Sequence, residues 1–228
     1  MNTLIQDKDS LLLGSREAIE TLAEKQSSRI LLISDSHGAA FTFSAILKQF
    51  GKDSDALIFC GDGMSDFTRC MEEASKDESF AECFPSVAAF VQGNNDTDMY
   101  PCINPEYGKK KDADYFSQLQ VPLRSTFFAS SHRILAVHGH RYSLYNGSRQ
   151  IVQAAKNEKA DVVIFGHTHF PLWEINYPYI SVINPGSISR PRGMMPPGFA
   201  VLELEKGKAA EKVTFYKIGS DGMNPFIP

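Results

Sequence analysis

Five short apolar segments of this chain lead directly into polar residues that can bind metal ions. The segments are Ile30–Ile33, Ala56–Cys60, Val87–Val91, Arg133–Val137 and Asp161–Phe165. Runs of this length and composition are typical of buried strands. Helical patterns at Phe41–Phe50 and Phe67–Ser75 separate the first three runs. Such alternation indicates βαβ units, so we expect an α/β domain built on a largely parallel sheet.

The polar residues that follow these runs form five short motifs. They are Asp35-Ser36-His37, Gly61-Asp62, Gly93-Asn94-Asn95-Asp96, His138-Gly139-His140 and Gly166-His167-Thr168-His169. Ligands of open α/β sheets bind beyond the carboxyl ends of the strands, so five such ends can converge on one crevice. Of the six histidines, only His132 lies outside the motifs. Histidines scattered through a core or over a surface would have no reason to follow apolar runs, which favours a shared site.

The residue types in the motifs point to divalent cations. Carboxylate, amide oxygen and imidazole suit hard or borderline divalent ions. The four cysteines, Cys60, Cys70, Cys83 and Cys102, include no CxxC pair. This spacing argues against structural zinc or an iron–sulfur cluster and is typical of free thiols in a reducing cytosol.

Composition limits the remaining function classes. The chain has 228 residues, 43% of them hydrophobic, and a net charge of −4. This negative net charge gives the protein no overall positive potential, so we expect no extended surface that binds nucleic acid. The longest early apolar run is Leu11–Leu13, which is too short for a signal peptide or a membrane span. We therefore predict a cytoplasmic protein without a membrane partner.

Residues 1–28 differ in pattern from the rest and predict an N-terminal helical extension to a main domain at 29–228. Asp9 or Ser10 could cap its helix, and apolar residues from Leu11 to Leu22 recur near helical spacing. Packing on the domain and a partner-binding arm, for example in a homo-oligomer, both remain open.

The second half of the chain is richer in strands. A helix is predicted from Asn146 to about Lys159. Strands are predicted at Ser125–Ala129, Leu172–Ile175, Ile180–Ile183, Phe199–Leu204 and Lys212–Tyr216. We expect the short strands after Pro171 to supply a second sheet.

The ordered set of motifs resembles the calcineurin-like metallophosphoesterase superfamily, whose pattern runs DxH, GD, GN(H/N/C)D, H and GHxH. The match spans Asp35 to His169 with a trailing Asn184-Pro185-Gly186-Ser187, and is similar to the small bacterial and archaeal phosphodiesterase branch. The resemblance implies a four-layer α-β-β-α sandwich. Two mixed sheets would face each other with helices on their outer faces, and a binuclear metal site would lie at the strand ends.

The resemblance also implies a ligand set. One cation would be held by Asp35, His37, Asp62 and His169, and the other by Asp62, Asn94, His138 and His167. Two divalent cations are implied; Mn²⁺ is the expected ion, with Fe, Zn, Ni, Co and Mg as alternatives. A metal-bridging hydroxide would then attack the phosphorus of a phosphoric ester.

One position departs from the family pattern. Asn95 stands where many members carry a histidine that can donate a proton, and an amide can donate only a hydrogen bond. We therefore predict Asn95 as a catalytic and substrate-binding residue, and Asp96 and His140 as catalytic residues. His140 is either a replacement proton donor or a group that only orients a ligand.

The sequence indicates less clearly which residues form the rim of the site. Arg190 and Arg192 are predicted to bind substrate phosphate, and the alternative is two solvated arginines after a turn. Gly63, Asp66 and segment 97–116, with Tyr100, Tyr107 and the Lys109–Lys111 run, are predicted to line or cover the entrance.

The predicted function is a metal-dependent phosphodiesterase acting on a small phosphoester, for which a nucleotide-like substrate remains open. A phosphomonoesterase on the same site is the first alternative. A non-catalytic interaction scaffold, which the vacuolar-sorting subunit of retromer in this superfamily resembles, is the second. A metallohydrolase acting on non-phosphate substrates is the third.

Overall fold

The computed structural model describes residues 2–107, 114–144, 147–176, 179–209 and 212–228. All five apolar runs that precede the motifs form strands within these ranges. The helices are α1 (Arg16–Glu24), α2 (Ala40–Ile46, continued by a π-helical turn at Leu47–Gly51), α3 (Met64–Lys76), α4 (Glu78–Ala81) and α5 (Arg149–Asn157). The strands are β1 (Ser27–Ile33), β2 (Ala56–Phe59), β3 (Val87–Phe90), β4 (Met99–Ile103), β5 (Phe116–Gln120), β6 (Arg124–Ala129), β7 (His132–Val137), β8 (Val162–Ile164), β9 (Leu172–Asn176), β10 (Ile180–Asn184), β11 (Gly198–Glu205), β12 (Lys212–Gly219) and β13 (Gly222–Phe226).

Two mixed sheets organise the fold. The first has the order β13-β12-β11-β1-β2-β3, in which β1, β2 and β3 run parallel and β11 to β13 run antiparallel. The second has the order β6-β7-β8-β10-β9, with parallel strands in the middle and antiparallel ones at both edges. Strands β4 and β5 form a separate hairpin.

The two faces of β1 show how the layers stack. Side chains alternate along a strand, so Leu31 packs on one face with the helical Phe43 and Phe67. Ile30 and Leu32 point the other way and pack with residues of the second sheet. The far face of the second sheet packs against α5. The predicted four-layer sandwich is therefore confirmed, with α2 and α3 on one outer face and α5 on the other.

The strands after Pro171 do not form one sheet, which corrects the prediction of how the sheets are supplied. Strands β9 and β10 join the second sheet, whereas β11 pairs antiparallel with β1 in the first, with Val201 opposite Leu31. Apolar runs show that a segment is a buried strand but do not say which strand it pairs with. Pairing partners depend on contacts between residues far apart in the chain, which local patterns do not contain.

The N-terminal helix starts later than predicted. Ser15 caps α1 by accepting a hydrogen bond from the Ala18 N–H at 3.1 Å. Leu13 lies outside the helix because its backbone pairs with Ala88 of β3 through two hydrogen bonds of 2.8 Å. The predicted cap at Asp9 or Ser10 is therefore wrong. The domain boundary at residue 28 stays a prediction.

Some predicted features lie partly or wholly outside the residues that the structure describes. Helix α5 ends at Asn157, two residues before the predicted Lys159, and its predicted start at Asn146 lies outside the described residues. The Lys109–Lys111 run also lies outside them. Across the part of the chain that is described, no helix combines the length and apolar character needed to cross a membrane.

We expect Leu13→Ala to destabilise the protein by about 2–5 kcal/mol, because Leu13 is 0% exposed and packs in the core beside β3. Ile5→Ala is the matched control, since Ile5 is 41% exposed in the same segment and should change stability by less than about 0.5 kcal/mol. Urea denaturation of both variants measures the difference. Equal stability losses would contradict the integration of residues 2–14 into the core.

Candidate metal centre

All seven predicted metal ligands meet at the carboxyl ends of β1, β2, β3, β7 and β8. A first group of atoms surrounds His169 Nε2, which lies 3.1 Å from Asp35 Oδ1 and 3.2 Å from His37 Nε2. His37 Nε2 lies 3.9 Å from Asp35 Oδ1 and 3.8 Å from Asp62 Oδ2. One ligand atom each of Asp35, His37 and His169 lies within 4.8 Å of the other two, so these side chains could hold one metal ion.

A second group of atoms lies beside the first. His138 Nε2 is 3.5 Å from Asp62 Oδ2 and 3.1 Å from Asn94 Oδ1. His167 Nδ1 is 2.9 Å from the same Asn94 oxygen. Asp62 Oδ2 therefore contacts both groups, which is the arrangement expected of a ligand that bridges two cations.

The hydrogen bonding of Asp35 tests whether the site fits a cation. Its Oδ2 accepts hydrogen bonds from Ser34 Oγ at 2.5 Å and the His167 N–H at 3.0 Å. Its Oδ1 is buried and has no hydrogen-bond partner among the described residues. Burying a carboxylate oxygen without a hydrogen-bond partner costs free energy. In the first group this oxygen lies beside the Nε2 atoms of His169 and His37, where one cation could bind all three atoms. The residues present therefore fit a divalent cation.

Two backbone carbonyls orient imidazoles of the site. His138 Nδ1 lies 2.6 Å from the Cys60 carbonyl, and His169 Nδ1 lies 2.5 Å from the Arg190 carbonyl. A carbonyl can only accept, so Nδ1 carries the proton in both rings. That tautomer leaves the Nε2 lone pair free to bind a cation.

The backbone at the site is unusual. Five of the seven ligands have left-handed φ angles: Asp35 (53°), His37 (42°), Asp62 (58°), His167 (65°) and His169 (59°). Non-glycine residues seldom adopt this region, and such strain clusters at functional sites. The turns that follow the strands therefore aim the side chains inward at an energetic cost.

Two of the glycines beside the ligands are needed for close approach. A Cβ on Gly93 would lie 2.1 Å from Asp62 Oδ1, and a Cβ on Gly166 would lie 1.9 Å from Ser34 Oγ. At these two positions the absent side chain makes room for the neighbouring motif.

Asp96 binds backbone rather than facing the cleft. Its Oδ2 accepts from the N–H groups of Asp62 at 2.7 Å and Gly93 at 2.9 Å. Its Oδ1 accepts from the N–H groups of Gly63 at 3.0 Å and Met64 at 2.9 Å. The carboxylate thereby fixes the loop that carries Asp62, while its predicted catalytic role stays a prediction.

Asn95 forms hydrogen bonds to Asp62, the residue that the two groups of atoms have in common. Its backbone N–H donates to Asp62 Oδ1 at 2.8 Å, and its Nδ2 donates to Asp62 Oδ2 at 2.6 Å. Together with His138, these donors affect the charge of Asp62. Burial raises the pKa of the Asp62 carboxyl, but the bond and charge of His138 and the two Asn95 donors outweigh it and hold the pKa below the usual range.

Sequence reasoning missed the role of Asp66, which was predicted to line the entrance. The side chain is buried, and its Oδ2 accepts from Ser36 Oγ at 2.6 Å and the Gly38 N–H at 2.8 Å. It therefore holds the turn that carries His37. Its place in the first turn of α3, just after the Gly61-Asp62-Gly63 motif, was the only signal available.

The Asn184–Ser187 element also supports the site from behind. Ser187 Oγ donates to the Asp35 carbonyl at 2.7 Å, and Asn184 Nδ2 donates to the Gly166 carbonyl at 2.8 Å. These bonds fix the backbone of two ligand motifs. Ser34, which orients Asp35, is a further supporting residue that the sequence did not single out.

The predicted rim residues divide between two pockets. Arg190 and Arg192 are exposed and line a cleft of about 410 Å³ together with Asp62, Asn95 and His167. His140 does not line this cleft but a neighbouring pocket, with its ring centroid 6.3 Å from that of His167. Burial, His138 and Arg141 lower the pKa of His140.

Comparisons with known proteins identify the family and the fold. The family model described as the calcineurin-like phosphoesterase superfamily domain matches residues 29–207. YsnB of Bacillus subtilis, a probable metallophosphoesterase, is 29% identical over 187 residues, 82% of this chain and 89% of its own. The phosphodiesterase YfcE of Escherichia coli K12 is 25% identical over 183 residues, 77% of this chain and 87% of its own. The structure of vacuolar protein sorting 29 from Cryptosporidium parvum shares the fold, with a TM-score of 0.61 and 17% identity over 89% of this chain and 97% of that chain.

We expect Asp96→Asn to weaken Mn²⁺ binding and to destabilise the protein by about 1–3 kcal/mol, because an amide cannot accept all four backbone bonds and its NH₂ would face N–H donors. Asp98→Asn is the matched control, since Asp98 is exposed two residues away. Calorimetric metal titration and urea denaturation measure both effects. Normal metal affinity in the Asp96 variant would contradict the anchoring role.

Mn²⁺ affinity should rise with pH through and above the usual histidine pKa. Burial lowers the pKa of His138, but its bond to Asp62 and the charges of Asp35 and Asp62 raise it overall. His169 is likewise raised by Asp35 against the effect of burial. An imidazolium cannot bind a cation, so protons compete with the metal until these raised pKa values are passed. Calorimetry in buffers of different ionisation enthalpy should show proton release, and pH-independent affinity between 6 and 8 would refute this.

Proposed function

The chain belongs to the calcineurin-like phosphoesterase superfamily, and we propose that it is a metal-dependent phosphodiesterase acting on small phosphoric esters. The observation that carries this proposal is the pair of ligand groups that share Asp62 Oδ2, the first of which places Asp35 Oδ1 beside the Nε2 atoms of His169 and His37. Both groups lie beside an open cleft, so a substrate phosphate can approach them.

We assign the first cation to Asp35, His37, Asp62 and His169, and the second to Asp62, Asn94, His138 and His167. Each cation would have two oxygen and two imidazole ligands, a mixed set that suits Mn²⁺ and that Fe, Zn, Ni, Co and Mg ions could also occupy. Two such ions supply Lewis-acid activation of water and of the phosphoryl oxygens.

The protein residues around the cleft position the phosphate. The Arg190 and Arg192 side chains line its rim, where guanidinium groups can form paired hydrogen bonds to phosphate oxygens. Asn95 lines the same cleft and can turn its amide donor from Asp62 to a phosphoryl oxygen. An amide cannot supply a proton at neutral pH, so esters with good leaving groups should react fastest.

His140 and Asp96 take different roles in this proposal. His140 lines the pocket beside the cleft, so it can protonate only a leaving group that extends into that pocket. Asp96 is a positioning residue, because its carboxylate is taken up by backbone N–H groups of the Asp62 loop.

Diester hydrolysis is favoured over the alternatives by two observations. A relative that covers most of the chain is named a phosphodiesterase. The cleft at the metal ligands also adjoins a second pocket, with His167 and Arg192 lining both, which leaves room for a substituent on the far side of the phosphorus. A scaffold without catalysis need not keep every ligand, whereas this chain has all seven predicted ones.

Hydrolysis of bis(p-nitrophenyl) phosphate and of p-nitrophenyl phosphate tests the proposal. We expect Mn²⁺-dependent turnover that a chelator abolishes and added Mn²⁺ restores, with the diester preferred. Asp62→Ala should lower kcat/KM by more than about 100-fold because both cations lose a ligand. Asp53→Ala, an exposed carboxylate away from the motifs, should behave as wild type.

Faster hydrolysis of the monoester would favour the phosphomonoesterase alternative. No metal-dependent turnover of either ester would refute the enzyme and favour the scaffold. Near-normal turnover by the Asp62 variant would refute the bridging assignment.

A further inference from the structure

A second pocket, of about 540 Å³, adjoins the metal cleft. The two cavities share His167 and Arg192 in their walls. The second pocket extends away from the ligands past His140 to Arg141, Tyr142 and Gln150. A molecule whose phosphate lies at the metal ligands can therefore place another part of itself in this pocket.

Two side chains that line the second pocket, Thr168 and Gln150, can donate hydrogen bonds to a ligand. Thr168 Oγ1 already accepts from Asn184 Nδ2 at 3.0 Å and the Phe170 N–H at 3.3 Å, so its hydroxyl hydrogen remains to be donated. Gln150 Oε1 accepts from the Ser143 N–H at 3.0 Å, which leaves the amide NH₂ as the free end of that side chain. Both groups thus offer hydrogens to a ligand.

The arginine side chains that line the second pocket carry positive charge, and no described lining residue carries a negative one. Arg141 and Arg192 contribute guanidinium groups, and no aspartate or glutamate lies among the described lining residues. Neither arginine forms a salt bridge with a described carboxylate, whereas Arg124 nearby is paired with Glu158 at 3.0 Å. Cationic groups without a carboxylate partner are free to bind an anion.

From this lining we propose that the pocket binds an oxyanion, a phosphate or a carboxylate, which the substrate carries in addition to its scissile phosphodiester. This inference rests on the proposed function, since it places the scissile phosphate at the metal ligands. It narrows the substrate class to phosphodiesters with a second anionic group on one ester substituent. Arg141 is the residue that determines this specificity, because it lines the second pocket and not the metal cleft.

Three p-nitrophenyl phosphodiesters that differ only in their second ester group test the proposal. The group is propyl, 3-carboxypropyl or 3-phosphonopropyl. With Mn²⁺ we expect the wild-type KM to be about tenfold lower for one or both anionic esters than for the propyl ester, as one or two charge-assisted hydrogen bonds would give. The two anionic arms show whether carboxylate or phosphate is preferred.

Arg141→Ala should reduce that preference to within about twofold. Arg149→Ala is the matched control, because Arg149 is an exposed arginine of α5 outside both pockets, and it should retain the wild-type preference. Equal KM values for all three esters, or a preference that survives Arg141→Ala, would overturn the proposal.

A binding measurement separates this inference from the proposed function. Calorimetry of the Mn²⁺-loaded protein compares propane-1,3-diphosphonate with propylphosphonate, and we expect tighter binding of the diphosphonate in wild type but not in Arg141→Ala. Absence of turnover with every ester would refute the proposed function. Equal binding of the two phosphonates, or no effect of Arg141→Ala on their difference, would refute the anion pocket.

Discussion

Two buried carboxylates, Asp35 and Asp62, set the constraint on which the site depends. They are 0% and 2% exposed, and two buried negative charges this close together are unstable without positive charge beside them. His138 and His169 supply part of that charge in the metal-free protein, since their pKa values are raised by these same carboxylates. Divalent cations would supply the rest, and Asp35 Oδ1, which is buried with His169 Nε2 3.1 Å away, would be one of the atoms that bind them.

The turns that position these carboxylates have a strained backbone conformation, which needs the surrounding fold to stabilise it. Asp35, Asp62 and His167 lie in left-handed turns just past the strand ends, and each such turn costs free energy. Strands β2 and β8 before Asp62 and His167 are fully buried, as are the last four residues of β1 before Asp35, so the sheets keep the turns in place. Asp66 and Asp96 add side-chain bonds to the backbone of these turns. Strain at the site is thus tolerated because packing elsewhere determines the strand positions.

The sequence predicted what is local and missed what depends on distant contacts. Strands, the motifs after them and the convergence of these motifs on one crevice follow from apolar runs and from the geometry of parallel sheets, whereas the set of seven ligands was implied by the family resemblance. The pairing of β11 with β1 could not be predicted, because both strands have the same apolar pattern as several others. Asp66 was assigned to the entrance for a similar reason: its partner Ser36 lies 30 residues earlier in the chain. Ser187 supports Asp35 across 152 residues.

The openness of the site bears on whether its cations would be structural or catalytic. A structural metal is usually enclosed by protein ligands, whereas a catalytic one keeps a position for water or substrate. Here the shared ligand Asp62 and its donor Asn95 line an open cleft whose rim carries Arg190 and Arg192. A site that served only to brace the fold would gain nothing from this opening or from guanidinium groups beside it. The combination of a strained, charged interior with an open, cationic rim therefore fits the phosphate binding and hydrolysis that we propose.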